Sequence, residues 1–132
     1  TLICDNMAAS IMSRGEIDLV IVGSDRIVSN GDVANKIGTY ALAVMCHFHG
    51  IPFYVAAPSS TLDFNLENGS QIPIEERKRT ELGEFNGRSI AIDQQKIFNP
   101  GFDVTPAHLV SAIITEKGVH RFPYTKSLAC LK

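Results

Sequence analysis

Ile17-Asp18-Leu19-Val20-Ile21-Val22-Gly23 opens the stretch that decides the fold. It is rich in β-branched residues and nearly continuous in apolar character from Ile17 to Val22, as a strand buried on both faces should be, and Gly23 ends it. From Asn35 to His49, the residues Ile37, Ala41, Val44, Met45 and Phe48 mark the apolar face of a helix that Gly50 closes. Ile51-Pro52-Phe53-Tyr54-Val55-Ala56-Ala57 reads as the next strand, with Pro52 tolerable only near its start. Strand, helix, strand at this spacing predicts a βαβ unit with a right-handed crossover. The expected fold class is therefore α/β, an open and mostly parallel sheet with helices on both faces.

Upstream, Leu2 to Cys4 is a short apolar piece and Asp5 a good helix N-cap. Met7, Ala8, Ile11 and Met12 follow at helical spacing, with Gly15 as the stop. Downstream, Pro58 to Pro73 is polar and turn-rich, and Ile74 to Arg79 is a charged run that predicts a solvated face or subunit contact. Ser89 to Ile92 and Ile97-Phe98 are candidate short strands. Asp103-Val104-Thr105-Pro106 predicts a last helix capped by Thr105, with Leu109, Ile113 and Ile114 facing inward and Gly118 at its end.

The 132 residues amount to one domain, 1–132, with 45% hydrophobic and 20% charged residues, a balance that excludes a disordered chain. Twelve basic against fourteen acidic residues give a net charge of −2, which argues against nucleic acid or an acidic membrane as partner. No apolar run approaches the ~18 residues of a membrane span, and the first residues lack the basic-then-apolar pattern of a signal peptide. Cys4, Cys46 and Cys130 form no CxxC pair, which predicts a reducing compartment: the cytoplasm, and in a eukaryote also the nucleus. His47, His49, His108 and His120 have no metal-ligand spacing, so no metal site is expected.

In an open parallel sheet, ligands bind beyond the carboxyl ends of the strands. The first strand runs directly into Gly23-Ser24-Asp25-Arg26-Ile27, which puts Asp25 where a catalytic carboxylate would stand. The residues alone leave a second reading open, that of a loop acid satisfied by backbone amides or by Arg26. Asn30-Gly31-Asp32-Val33-Ala34-Asn35-Lys36 enters the predicted second helix, and Gly31 permits a tight turn. Helix N–H groups beside the Lys36 ammonium suggest an anion site, although a solvated lysine has the same sequence. The glycine spacing is not that of a Walker loop.

The strings Val22-Gly23-Ser24-Asp25-Arg26-Ile27 and Asn30-Gly31-Asp32-Val33-Ala34-Asn35-Lys36-Ile37-Gly38-Thr39-Tyr40 resemble the methylthioribose-1-phosphate isomerase family. That family sits in the larger group containing the regulatory subunits of translation initiation factor 2B. Asp5-Asn6-Met7-Ala8-Ala9, Gly50 to Pro58, Ile72 to Arg77, Asn99 to Pro106 and Ile113 to Gly118 extend the resemblance in the same order over nearly the whole chain.

The resemblance implies a Rossmann-like domain and an aldose–ketose isomerase that converts 5-methylthioribose 1-phosphate to 5-methylthioribulose 1-phosphate in methionine salvage. No cofactor is implied. The family's proton-donating Asp falls on Asp25, with Ser24 in place of the usual Ala, and its substrate-binding Asn-Lys pair falls on Asn35 and Lys36. The anomeric phosphate keeps the sugar ring from opening unaided, so an acid must protonate the ring oxygen before hydrogen moves from C2 to C1. An apolar, water-poor pocket suits that acid. Proton transfer through an enediolate and hydride transfer both remain compatible with these residues.

The family's second catalytic group is a Cys in an upstream Thr-x-Cys-Asn motif, and Cys4, Cys46 and Cys130 stand in no such motif. The chain thus resembles the C-terminal part of a family member, lacking the first strand or strands of its domain, and is expected to be inactive alone. The family pairs through this domain, which implies a homodimer. Ribose-1,5-bisphosphate isomerase and a non-catalytic regulatory or dimerisation subunit are the alternatives; Asp25-Arg26-Ile27 tilts towards an enzyme.

Overall fold

The computed structural model describes residues 1–92 and 94–132. Its strands are β1 (Val20–Val22), β2 (Arg26–Val28), β3 (Val33–Lys36), β4 (Phe53–Ala56), β5 (Leu62–Asp63), β6 (Glu84–Phe85), β7 (Arg88–Ser89), β8 (Phe102–Thr105), β9 (Ala112–Thr115) and β10 (Gly118–His120). Its α-helices are α1 (Ala8–Met12), α2 (Thr39–His49), α3 (Thr80–Gly83) and α4 (Tyr124–Ser127). None is long and apolar enough to cross a membrane, among the described residues.

One sheet has the order β1-β4-β9-β10, parallel except for β10. The predicted βαβ unit is present: β1 and β4 run parallel in the register Val20↔Phe53 and Val22↔Val55, with α2 between them in sequence. Phe53, Val55 and Ile113 are fully buried and pack with Met12, Ala43, Cys46, Tyr124 and Leu128 in the main core. Burying a side chain such as Phe53 contributes about 2–3 kcal/mol. β1 departs from the expected strand buried on both faces. It lies at the edge of this sheet, and Ile21 is 57% exposed.

The second sheet, β5-β2-β3-β8, comes from residues expected to be loop and helix. Asn35 and Lys36 lie on β3, paired with Asp103 and Phe102 of β8, and not on a helix. Gly38, at φ +103°, breaks the strand and α2 begins only at Thr39. The buried side of α2 is Thr39, Ala43 and Cys46, whereas Ile37, Val44 and Phe48 of the expected inner face point outward. No residue of α2 carries an acid, lysine or arginine, so its periodicity has little to phase it.

The predicted last helix is replaced by β8, a 3-10 turn at Ala107–Leu109, and β9. Ile113 and Ile114 pair with Val55 and Ala56 of β4. Their β-branching favours a strand over the helix that the Thr-Pro start suggested. Ile97-Phe98 forms no strand, while Ser89 belongs to the β6–β7 hairpin.

Asp32, in the β2–β3 turn, ties these pieces together. Its Oδ2 accepts from Gly69 N–H at 2.8 Å and Asn30 Nδ2 at 2.9 Å, and its Oδ1 accepts from Ala107 N–H at 2.8 Å. Gly31, at φ +90°, lets this turn close onto Tyr124, whose ring leaves no room for a Cβ there. The Tyr124 hydroxyl donates to Val110 O at 2.7 Å.

Asp32→Ala strands those donors and is expected to lower unfolding stability by about 3 kcal/mol in urea titration. Burial pushes the Tyr124 phenol up to about 12 from its ordinary 10. The unfolded chain therefore loses this proton first. Stability from this group is whole below pH 10, declines as pH rises through 12, and forfeits up to about 3 kcal/mol. Melting curves of Tyr124→Phe should lack that alkaline component.

Candidate functional site

The parallel strands β1, β4 and β9 deliver Gly23 to Asp25, Ala57 to Ser59, and Glu116 at their carboxyl ends. The tops of β4 and β9 are tied to each other. Glu116 accepts from the Ser59 hydroxyl and, at 2.8 Å, from Ser59 N–H, and Ala57 N–H donates to Ile114 O at 3.0 Å. Those bonds, the hydroxyl foremost, hold the Glu116 carboxyl below its usual range. Beyond the end of β1 stands Asp25.

Asp25 N–H donates to Ala34 O at 3.0 Å, although Ala34 is already in register with Arg26. Asp25 thus stands one residue before β2, tied by its backbone to the end of the β2–β3 ladder. Asp25 shares a hollow of about 160 Å³ with Arg26, Ala34, Ile72, Pro73, Ile74 and Phe102. Its residue remains exposed, so the water-poor surroundings expected for the acid are only half built by these residues. Arg26 does not satisfy Asp25: its Nη1 pairs with Asp63 Oδ2 at 3.1 Å, bracing β2 against β5.

Lys36 lays its Nζ 4.9 Å from the centroid of Phe102, a cation–π contact of about 0.5–1 kcal/mol at an exposed site. Phe102 is therefore the wall common to Asp25 and Lys36. No ion pair within 4 Å joins the two among the described residues. Lys36 also borders a second hollow of about 400 Å³ with Asn6, Ile37, Thr39 and Met45. Asn35 is directed elsewhere, its Nδ2 donating to Thr39 Oγ1 at 3.1 Å, while that hydroxyl donates to Lys36 O at 2.7 Å.

The expected anion site at the helix start is filled from within. Asp103 of β8 accepts from Gly38 N–H at 2.7 Å and Tyr40 N–H at 3.1 Å, so its carboxylate caps α2. Cys46 is buried, which pushes its thiol up and keeps it protonated, consistent with a packing role. Sequence reasoning missed Phe102, the Ile72–Ile74 wall and the Asp103 cap. Each acts through a partner distant in sequence, and no local pattern announces it.

Fold and site together define the class: an open α/β domain of Rossmann type with its candidate chemistry beyond the carboxyl ends of parallel strands. Residues 1–121 match the model of the Initiation factor 2 subunit family, and the chain belongs to that family.

Across all 132 residues it is 59% identical to the methylthioribose-1-phosphate isomerase of Caldicellulosiruptor saccharolyticus, covering 39% of that protein. The crystal structure of 5-methylthioribose 1-phosphate isomerase from Pyrococcus horikoshii OT3 matches 99% of the chain at TM-score 0.93 and 50% identity. That of the delta subunit of translation initiation factor eIF-2B from A. fulgidus matches 99% at TM-score 0.92 and 46% identity. The chain covers 36% and 38% of those two structures, so it spans less than two-fifths of the length of these relatives.

Asp103→Ala uncaps α2 and is expected to cost about 1–2 kcal/mol in denaturant titration. Asp103→Asn, which keeps an acceptor, should cost less.

Proposed function

We propose that this chain is the acid-bearing part of an aldose–ketose isomerase acting on 5-methylthioribose 1-phosphate. The observation that carries the reading is Asp25, beyond the carboxyl end of β1 and lining a hollow walled by Ile72, Pro73, Ile74 and Phe102. Opening the ring of a sugar 1-phosphate needs a proton at the ring oxygen, and Asp25 is the acid for that step. Lys36, held on Phe102, supplies the positive charge for a substrate anion or oxygen, with Asn35 beside it on β3. The name and 59% identity of the Caldicellulosiruptor relative support the substrate assignment.

The partners on this reading are a small sugar phosphate and a second copy of the chain. The uncharged α2 turns Tyr40, Val44 and Phe48 outward, a surface suited to such pairing. Action in the cytoplasm, as a step of methionine salvage, belongs to the same proposal. The likeness to an eIF-2B delta subunit supports a second reading, a non-catalytic regulatory subunit in which Asp25 has no chemical task.

Kinetics of the intact protein separate the two. Asp25→Asn should lower kcat by about 10²–10⁴-fold, the usual worth of a general acid. Lys36→Ala should act chiefly on KM. Undiminished turnover by Asp25→Asn would overturn the catalytic reading. The 132-residue chain by itself is expected to show no turnover.

A further inference from the structure

Two connections carry the chain from the first sheet to the second, and they run side by side. Residues 23–25 lead from β1 into β2, and residues 57–61 lead from β4 into β5. Where they leave, Val22 is in parallel register with Val55; where they arrive, Ile27 is in parallel register with Leu62. The connections therefore share both boundaries, and the course of the longer one limits the course of the shorter, which holds Asp25. The Arg26–Asp63 ion pair, at 3.1 Å, fastens them where they enter the second sheet.

The middle of the longer connection is fastened by Glu116, which stands just beyond β9. β4 lies between β1 and β9, so this tie comes from the side away from Asp25. Both carboxylate oxygens go to one residue: Oε2 accepts from Ser59 N–H at 2.8 Å, and Oε1 from the Ser59 hydroxyl. Ser59 opens the 3-10 turn Ser59–Thr61, in which Thr61 donates its N–H to Pro58 O at 3.0 Å and its hydroxyl to the same oxygen at 2.8 Å. No cation pairs with Glu116 within 4 Å among the described residues. A carboxylate that spends both oxygens on the donors of one turn fixes a position rather than balancing a charge.

We propose that Glu116 is a positioning residue for Asp25. Through Ser59 it anchors residues 57–61 to β9, and they in turn confine the neighbouring residues 23–25, so that Asp25 keeps its place in the hollow. β2 lies between β3 and β5. From the β3 side the segment is restrained by Asp25 N–H and the Ser24 hydroxyl, which donate to Ala34 O at 3.0 and 3.3 Å. The anchored connection supplies the restraint from the β5 side. The role rests on the isomerase reading of Asp25.

Glu116→Ala in the intact protein should lower kcat by about tenfold and leave KM within about twofold, the split expected when a reacting group is slightly misplaced. Glu116→Gln keeps an acceptor for Ser59 N–H and should recover most of the loss. Ser59→Ala should cost less than Glu116→Ala, and the two together no more than Glu116→Ala alone. The deciding measurement repeats Glu116→Ala on the residual turnover of Asp25→Asn protein. A residue that acts through Asp25 costs nothing further once the acid is gone, whereas one that only braces the fold lowers kcat by the same factor in both backgrounds. Ser59→Ala carries the same comparison if Glu116→Ala does not fold. Equal factors in the two backgrounds overturn the proposal. If Asp25→Asn loses nearly all turnover while Glu116→Ala and Ser59→Ala leave kcat unchanged, the positioning role falls and the isomerase reading stands. If Asp25→Asn retains full turnover, the catalytic reading falls and the positioning role with it.

Discussion

The carboxylate of Asp32 is the interaction on which the site-bearing half of the molecule depends. It gathers donors from its own turn at Asn30, from Gly69 just before the Ile72–Ile74 wall, and from Ala107 just after β8. These segments lie 37 and 75 residues away in sequence, and ordering them separately would cost substantial chain entropy. Their approach is so close that a Cβ on Gly69 would sit 2.5 Å from Val104 Cγ1 and 3.0 Å from Asp32 itself. The walls around Asp25 are thus braced by a hydrogen-bonded acid as well as by apolar packing. The second apolar cluster, Val28, Ala34 and Ile72, is small by comparison with the main core.

The two sheets divide the work. The β1-β4-β9-β10 sheet carries the main core and fixes where the carboxyl ends lie, while the β5-β2-β3-β8 sheet presents the charged groups. Lys36 gains nothing from the dipole of α2, because Asp103 has taken the Gly38 and Tyr40 amides. Its ammonium is instead held on the Phe102 ring, a contact weak enough to yield to a full negative charge. A neutralised helix end and a loosely held cation leave the lysine available to an anionic ligand.

What could be read from the sequence was what is local. The β1–α2–β4 unit followed from consecutive strand and helix patterns, and Asp25 followed because the chain passes to it directly from β1. The phase of α2 could not be read from a helix with no charged residue. Asn35 and Lys36 were misplaced on a helix because β3 is specified by pairing with β8, 68 residues on by the Asn35–Asp103 register, as non-local sheets generally are. Ile113 and Ile114 satisfy helix and strand patterns equally, and only their buried place beside β4 decides for the strand. The Asp103 cap, 63 and 65 residues from its donors, leaves no trace in the residues around α2.

Fold alone does not choose between an isomerase and an initiation-factor subunit, since structures bearing each name match at TM-scores of 0.93 and 0.92. The choice turns on features with no structural use of their own. Asp25, an exposed acid just before the β2–β3 ladder, lines a largely apolar hollow, with Arg26 already committed to Asp63. A carboxylate that lines a hollow beside a cation-bearing aromatic wall has a physical rationale when it must meet a ligand. That makes the geometry at Asp25 a stronger argument for catalysis than the overall likeness of the fold.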